Sequence, residues 1–179
     1  MELKDYILME LAGLERNVER VTSGLTDAEI AWRPCSGCNS IGLILFHIAR
    51  SEDSFVQKTL KGGTELWETG RWWEKLKMPR DEAGAHYTTE QVNAFPTPKL
   101  SPLLRFYKAV AAQTVKYVKS LKKGDFDELV KMGGPFGDAP RAAIFSLIVN
   151  HNAGHIGEMS YLRGMQRGQE PMGPPPEKK

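Results

Sequence analysis

The chain has 179 residues, of which 41% are hydrophobic and 26% charged, with a formal net charge of +2. That balance describes one soluble domain with a real core. The basic residues are scattered, which excludes a nucleic-acid footprint. No apolar run reaches the roughly 18 residues needed to span a bilayer, and Lys4, Asp5 and Glu10 interrupt Leu3, Ile7 and Leu11, so no secretory core is expected at the N-terminus. The expected location is therefore the cytoplasm, with no nucleic-acid or membrane partner.

In chain order, Leu3, Ile7, Leu11, Leu14, Val18, Val21 and Leu25 follow spacings of four and three. They predict an amphipathic helix over 2–23, ended by Gly24. Thr26-Asp27-Ala28-Glu29 reads as a capping box opening a short helix that stops near Pro34. Cys35 and Cys38 follow in a Cys-x-x-Cys pattern. A redox pair or half of a zinc site is conceivable, but no βαβ context and no second Cys pair accompany it. Two thiols in a loop is the favoured reading.

A second helix is predicted from about Asn39 to Leu60, capped by Asn39 or Ser40 and ended by Gly62-Gly63. Its buried face is Ile41, Ile44, Leu45, Ile48 and Phe55, and Glu52 and Asp53 are expected to be ordinary surface charges. Residues 61–99 carry Gly, Pro, Trp67, Trp72 and Trp73 and no sustained period. They predict a long crossover, with a short helix starting at Thr88-Thr89-Glu90-Gln91 and ending at Phe95. Such a crossover lets the next helix run parallel to the previous one.

Ser101-Pro102 opens a third helix reaching about Leu121, with Leu104, Tyr107, Ala111, Val115, Val118 and Leu121 inward. Residues 125–137 read as irregular. Asp138-Ala139-Pro140 reads as a helix start, and the fourth helix is predicted to run to about Gly164. No strand is predicted. The Pro- and Lys-rich end leaves 1–168 as a single domain and 169–179 as a flexible tail. Four long helices, one crossover and short links predict an all-α four-helix bundle.

Only four histidines are present. His151 and His155 are four apart on a helix, so both imidazoles lie on one face. That face continues through Ile144, Leu147, Ile148 and Leu162. Two inward imidazoles one turn apart repel if charged and cost desolvation energy if neutral and unpaired; a metal ion solves both problems. His47, among apolar neighbours, is read as inward too. Taken alone it suits a hydrogen-bonded core residue, but facing helices in a bundle can share an ion. Three neutral nitrogens leave a coordination position open, the pattern of a catalytic or substrate-binding metal. By donor type alone, zinc, nickel, copper and iron suit the site about equally.

Ser51, Asn150, Asn152 and Glu158 are candidates to orient an imidazole. Glu158 is also the only candidate catalytic group, with a solvated charge or an ion pair to Arg163 or Arg50 as its alternatives. His86 is read as a surface residue of the crossover. Trp32, Trp67, Trp72, Trp73 and Phe136 can roof a pocket, but core and loop anchoring is the favoured role.

Trp32-Arg33-Pro34, Asn39-Ser40-Ile41-Gly42 and Phe46-His47-Ile48-Ala49-Arg50-Ser51-Glu52-Asp53 resemble the second-helix signature of the DinB-like superfamily. His151-Asn152-Ala153-Gly154-His155-Ile156-Gly157-Glu158 and Tyr161-Leu162-Arg163-Gly164 resemble its fourth-helix signature. The resemblance implies an up-down-down-up bundle, often a homodimer. It also implies zinc or nickel on three histidines matching His47, His151 and His155, with a low-molecular-weight thiol cosubstrate and a small-molecule substrate. Its characterised members include mycothiol-dependent maleylpyruvate isomerases and bacillithiol transferases. The expected function is thus thiol transfer or isomerisation. Metal-dependent hydrolysis through bound water and a non-enzymatic, stress-associated metal-binding role are the alternatives. Cys35 and Cys38 depart from the family pattern.

Overall fold

The computed structural model of the chain describes residues 1–132 and 137–168. Phe136 and the expected tail at 169–179 lie outside them. The protein is mostly helical. Its elements are α1 (Leu3–Thr22), α2 (Asp27–Ala31), α3 (Ile41–Asp53), α4 (Leu66–Thr69), α5 (Trp72–Leu76), α6 (Thr89–Ala94), α7 (Leu100–Ser120), β1 (Leu129–Lys131), β2 (Asp138–Pro140) and α8 (Arg141–Arg167). Among the described residues, no helix is long and apolar enough to cross a membrane.

Two of the predicted start signals operate as read, whereas α7 begins at Leu100, one residue ahead of Ser101-Pro102 and without a side-chain cap. Thr26 and Glu29 form a reciprocal capping box at α2, and Thr88 and Gln91 form another at α6. Each satisfies two backbone donors that the first turn leaves orphaned. Ser40, not Asn39, caps α3 by accepting from the Leu43 amide. The second predicted helix runs its full length but changes pitch: Ser54–Leu60 is wound as a π-helix.

The predicted stripe of α1 is buried at Ile7, Leu11, Leu14, Val18 and Val21. It meets α7 and α8, and these two also pack on α3. Lys4 Nζ donates to the Lys119 carbonyl, and Lys108 pairs with Glu19, so the start of α1 meets the end of α7. Arg163 donates to the carbonyls of Val21 and Ser23, joining the last turns of α1 and α8. The core of these four helices includes Phe46, Leu103, Phe106, Ile144 and Phe145.

Two expectations about the chain's second half fail. A short antiparallel hairpin pairs Leu129 with Pro140 and Lys131 with Asp138. Asp138 therefore belongs to a strand and does not cap α8. α8 begins at Arg141 without a side-chain cap and continues one turn beyond Gly164 to Arg167.

The crossover is anchored by Asp53, which is not a surface charge but fully buried. Its carboxylate accepts from the backbone N–H groups of Leu66 and Trp67 at 2.9 and 2.8 Å, tying the first turn of α4 to the end of α3. Trp67 is the main aromatic anchor: it is 1% exposed, donates Nε1–H to the Arg80 carbonyl and lies under the Arg50 guanidinium. Trp72 and Trp73 pack against the core at its edge, whereas Trp32 is exposed.

Candidate metal centre

α3 presents His47 and α8 presents His151 and His155, and the packing of these two helices brings the rings together. The ring centroids are 4.9 Å apart for His47 and His151, 4.8 Å for His47 and His155, and 4.6 Å for His151 and His155. One ligand nitrogen from each lies within 4.8 Å of the others.

The hydrogen bonds of the rings decide which nitrogens are bare. His47 Nδ1 is 2.7 Å from the Gly84 carbonyl oxygen, which can only accept, so this nitrogen carries the proton. Ser51 Oγ stands farther off, at 3.5 Å from the same nitrogen. His151 Nδ1 donates to Asn152 Oδ1 at 3.0 Å, and His155 Nδ1 donates to Glu158 Oε2 at 2.9 Å. With one proton per neutral ring, all three Nε2 atoms are left as bare acceptors. Yet His47 Nε2 and His151 Nε2 lie only 3.0 Å apart. Two lone pairs at that distance repel unless they share a proton or meet at a metal ion. The donor set, three neutral imidazoles each fixed through its far nitrogen, fits a divalent ion.

The surroundings favour the neutral rings. Burial pushes the pKa of His47 and of His151 below the ordinary histidine value, and the neighbouring imidazoles push the same way. Deprotonated imidazole is the form that ligates.

Of the orienting candidates, Asn152 and Glu158 touch the cluster directly, Ser51 stands at its margin, and the Asn150 amide is engaged elsewhere. Asn150 is exposed and its amide donates to Ser146 Oγ. Glu158 pairs with His155 and with neither Arg163 nor Arg50, and it sits on the Nδ1 side of the ring, away from the bare nitrogens.

Glu52, like Asp53, is expected on the surface but is buried instead. It is 2% exposed. It accepts from Asn152 Nδ2 at 2.7 Å and from Thr114 Oγ1 at 2.6 Å. The carboxylate takes the Asn152 amide nitrogen, which turns Oδ1 toward His151 Nδ1. A buried chain, Thr114–Glu52–Asn152–His151, thus selects the tautomer of one ring. Burial raises the pKa of Glu52, opposed by these two donors.

Beside the cluster lies a cleft of about 270 Å³, whose walls include Asn39, Leu43, His47, His86, Tyr87 and His155. His86 is exposed, as expected of a surface residue, but it lines this cleft with its backbone held in the left-handed region at φ 59°. Cys35 and Cys38, expected as two thiols, are joined in a disulfide.

Comparison with known proteins agrees with this architecture. No curated protein matches the chain. A conserved protein from Enterococcus faecalis, known from its crystal structure, superposes with a TM-score of 0.82 at 20% identity, covering 94% of this chain and 99% of that one; at that identity the likeness speaks for the fold alone. Residues 10–159 match the sequence model of the DinB superfamily. The chain therefore belongs to the DinB superfamily.

Proposed function

We propose that the chain is an up-down-down-up four-helix bundle that holds one divalent metal ion, zinc or nickel, through Nε2 of His47, His151 and His155. We further propose that it activates a low-molecular-weight thiol there for transfer or isomerisation. Directions that support the bundle come from side chains that meet. Lys4 with Lys119 sets α1 against α7; Arg163 with Val21 aligns α1 with α8. Gly42 beside Thr97 and Glu52 on Thr114 align α3 with α7.

The observation that carries the metal is the 3.0 Å approach of two bare Nε2 atoms. A divalent ion bound there supplies Lewis acidity, and three imidazoles leave room for a thiol sulfur whose pKa it lowers. The chain's own residues do the rest. Gly84, Asn152 and Glu158 hold the three rings in the ligating tautomer. Leu43, Ile44 and Val92 give the cleft apolar walls for the carbon part of a small substrate, and Asn39, His86 and Tyr87 give it polar groups. Hydrolysis is the weaker reading because it asks for a base facing the reacting atoms, and Glu158 is engaged on the far side of His155.

The test is elemental analysis of the purified chain beside His155→Ala. The wild-type chain is expected to retain metal that the variant loses, and equal content in both sinks the site. A cobalt-loaded sample then tests the thiol: its visible spectrum should shift on addition of a small thiol, and an unchanged spectrum rejects thiol binding while leaving the metal standing.

A further inference from the structure

The disulfide between Cys35 and Cys38 is not used by the metal centre. It closes a very short loop, with Cα atoms 5.2 Å apart and a sequence separation of 3. Cross-links across so short a loop remove little entropy from the unfolded chain. Nor does this loop need a staple. The Cys38 amide already donates to the Cys35 carbonyl at 3.2 Å. The Gly37 amide donates to Asn93 Oδ1 at 2.7 Å, and Asn93 Nδ2 donates to Ser36 Oγ at 3.0 Å. Hydrogen bonds thus tie the loop to α6 in addition to the sulfur link.

The two cysteines are unequally placed. Cys35 is exposed and Cys38 is half-buried. Cys38 also lies two residues ahead of Ser40, the cap of α3, at the electropositive end of that helix, where a thiolate is favoured. The loop shares a wall with the cleft: Asn39 follows Cys38, Val92 precedes Asn93, and both Asn39 and Val92 line the cleft.

From this asymmetry we infer that Cys35–Cys38 is a dithiol–disulfide exchange site whose reaction partner is a low-molecular-weight thiol. The thiolate of the small molecule attacks Cys35 Sγ. A bond forms between these sulfurs, the Cys35–Cys38 bond breaks, and its electron pair leaves on Cys38 Sγ, which takes a proton from solvent. A second small thiolate attacks the sulfur of the first on Cys35, releasing the small-molecule disulfide and the Cys35 thiolate. Two small thiols are oxidised and the protein disulfide is reduced, so electrons and protons balance with no other reagent. The site is independent of the metal, and its test needs none.

The experiment equilibrates the folded chain in glutathione buffers of graded redox poise, followed by alkylation and mass spectrometry. The expected result is a reversible transition between no alkylated cysteine and two per chain, with the chain folded throughout. When the disulfide form is treated with limiting glutathione, quenched and mapped, the mixed-disulfide adduct is expected on Cys35 and not on Cys38. Three results overturn the proposal: a pair that reduces only after unfolding, which makes it a staple; thiols that stay free even in the most oxidising buffer; or a trapped adduct found equally or mainly on Cys38.

Discussion

Each neutral imidazole carries one proton, and in this cluster the acceptor on Nδ1 assigns it. For His151 that acceptor is Asn152, and the amide's orientation depends on Glu52. The carboxyl group should therefore show itself in stability as well as in tautomer. Because burial raises its folded pKa, the folded chain holds the Glu52 proton more tightly than the unfolded chain does. This group's contribution is fully present below the ordinary carboxylate value and is lost as pH rises through the folded pKa. His47 and His151, with lowered values, act in the opposite sense: their contribution is present above the ordinary histidine value and is lost as pH falls through the folded pKa. Glu52→Gln removes only the first effect and keeps an oxygen for Asn152. In metal-free urea unfolding between about pH 5 and pH 8, the variant should gain on the wild type as pH rises. Glu52→Leu instead strands the Asn152 N–H group, at a cost of about 2 kcal/mol. Identical pH slopes for wild type and Glu52→Gln reject this assignment. None of this was legible in the sequence. The partners that bury Glu52 are 62 and 100 residues away, whereas the Asn–His and His–Glu pairs are local and were read as candidates.

At the scale of elements, the crossover contributes a backbone carbonyl that fixes His47. Gly84 has φ +78°, and a Cβ there would lie 2.8 Å from Cβ and Cγ of Arg50, the stem of a side chain clamped against Glu65 and Trp67. Gly84→Ala therefore meets two obstacles: a left-handed backbone costing about 1–2 kcal/mol and a collision that moves the segment, taking its carbonyl away from His47 Nδ1. Gly62 is the control. Its φ is +63° with nothing within 4 Å, so Gly62→Ala pays the backbone cost alone. Competition against a chelator should show weaker metal binding in Gly84→Ala and unchanged binding in Gly62→Ala. Equal affinities separate the Gly84 contact from the metal site. Periodicity and caps made the helices legible, because α1, α2, α3 and α6 each carry their own start signal or stripe. The hairpin carried none: strands of three residues offer no alternation to read. The carbonyl of Gly84 was equally invisible, since a backbone acceptor leaves no mark in the sequence.

For the whole molecule, the question is whether the ion is needed to fold. The main core is assembled from α1, α3, α7 and α8 with residues such as Val18, Phe46, Phe106 and Phe145, and the histidines sit at its half-buried margin. A core of that extent stands without metal, unlike a small metal-nucleated domain. An ion that binds only the folded chain still stabilises it by mass action, by about 2.7 kcal/mol at a hundredfold excess over Kd. In a domain of this size each kcal/mol moves Tm by roughly 2–4 °C, so saturating metal should raise Tm by about 5–10 °C. Chelation should reverse that rise and leave the far-ultraviolet helical signal intact at 25 °C. His155→Ala should start at a similar metal-free Tm and show no rise, because two imidazoles hold the ion far less well than three. Loss of helical signal on chelation would make the ion structural and count against the proposed substrate role. A Tm indifferent to zinc and nickel in the wild-type chain would remove the ion itself, and the facing Nε2 atoms of His47 and His151 would then have to share a proton instead.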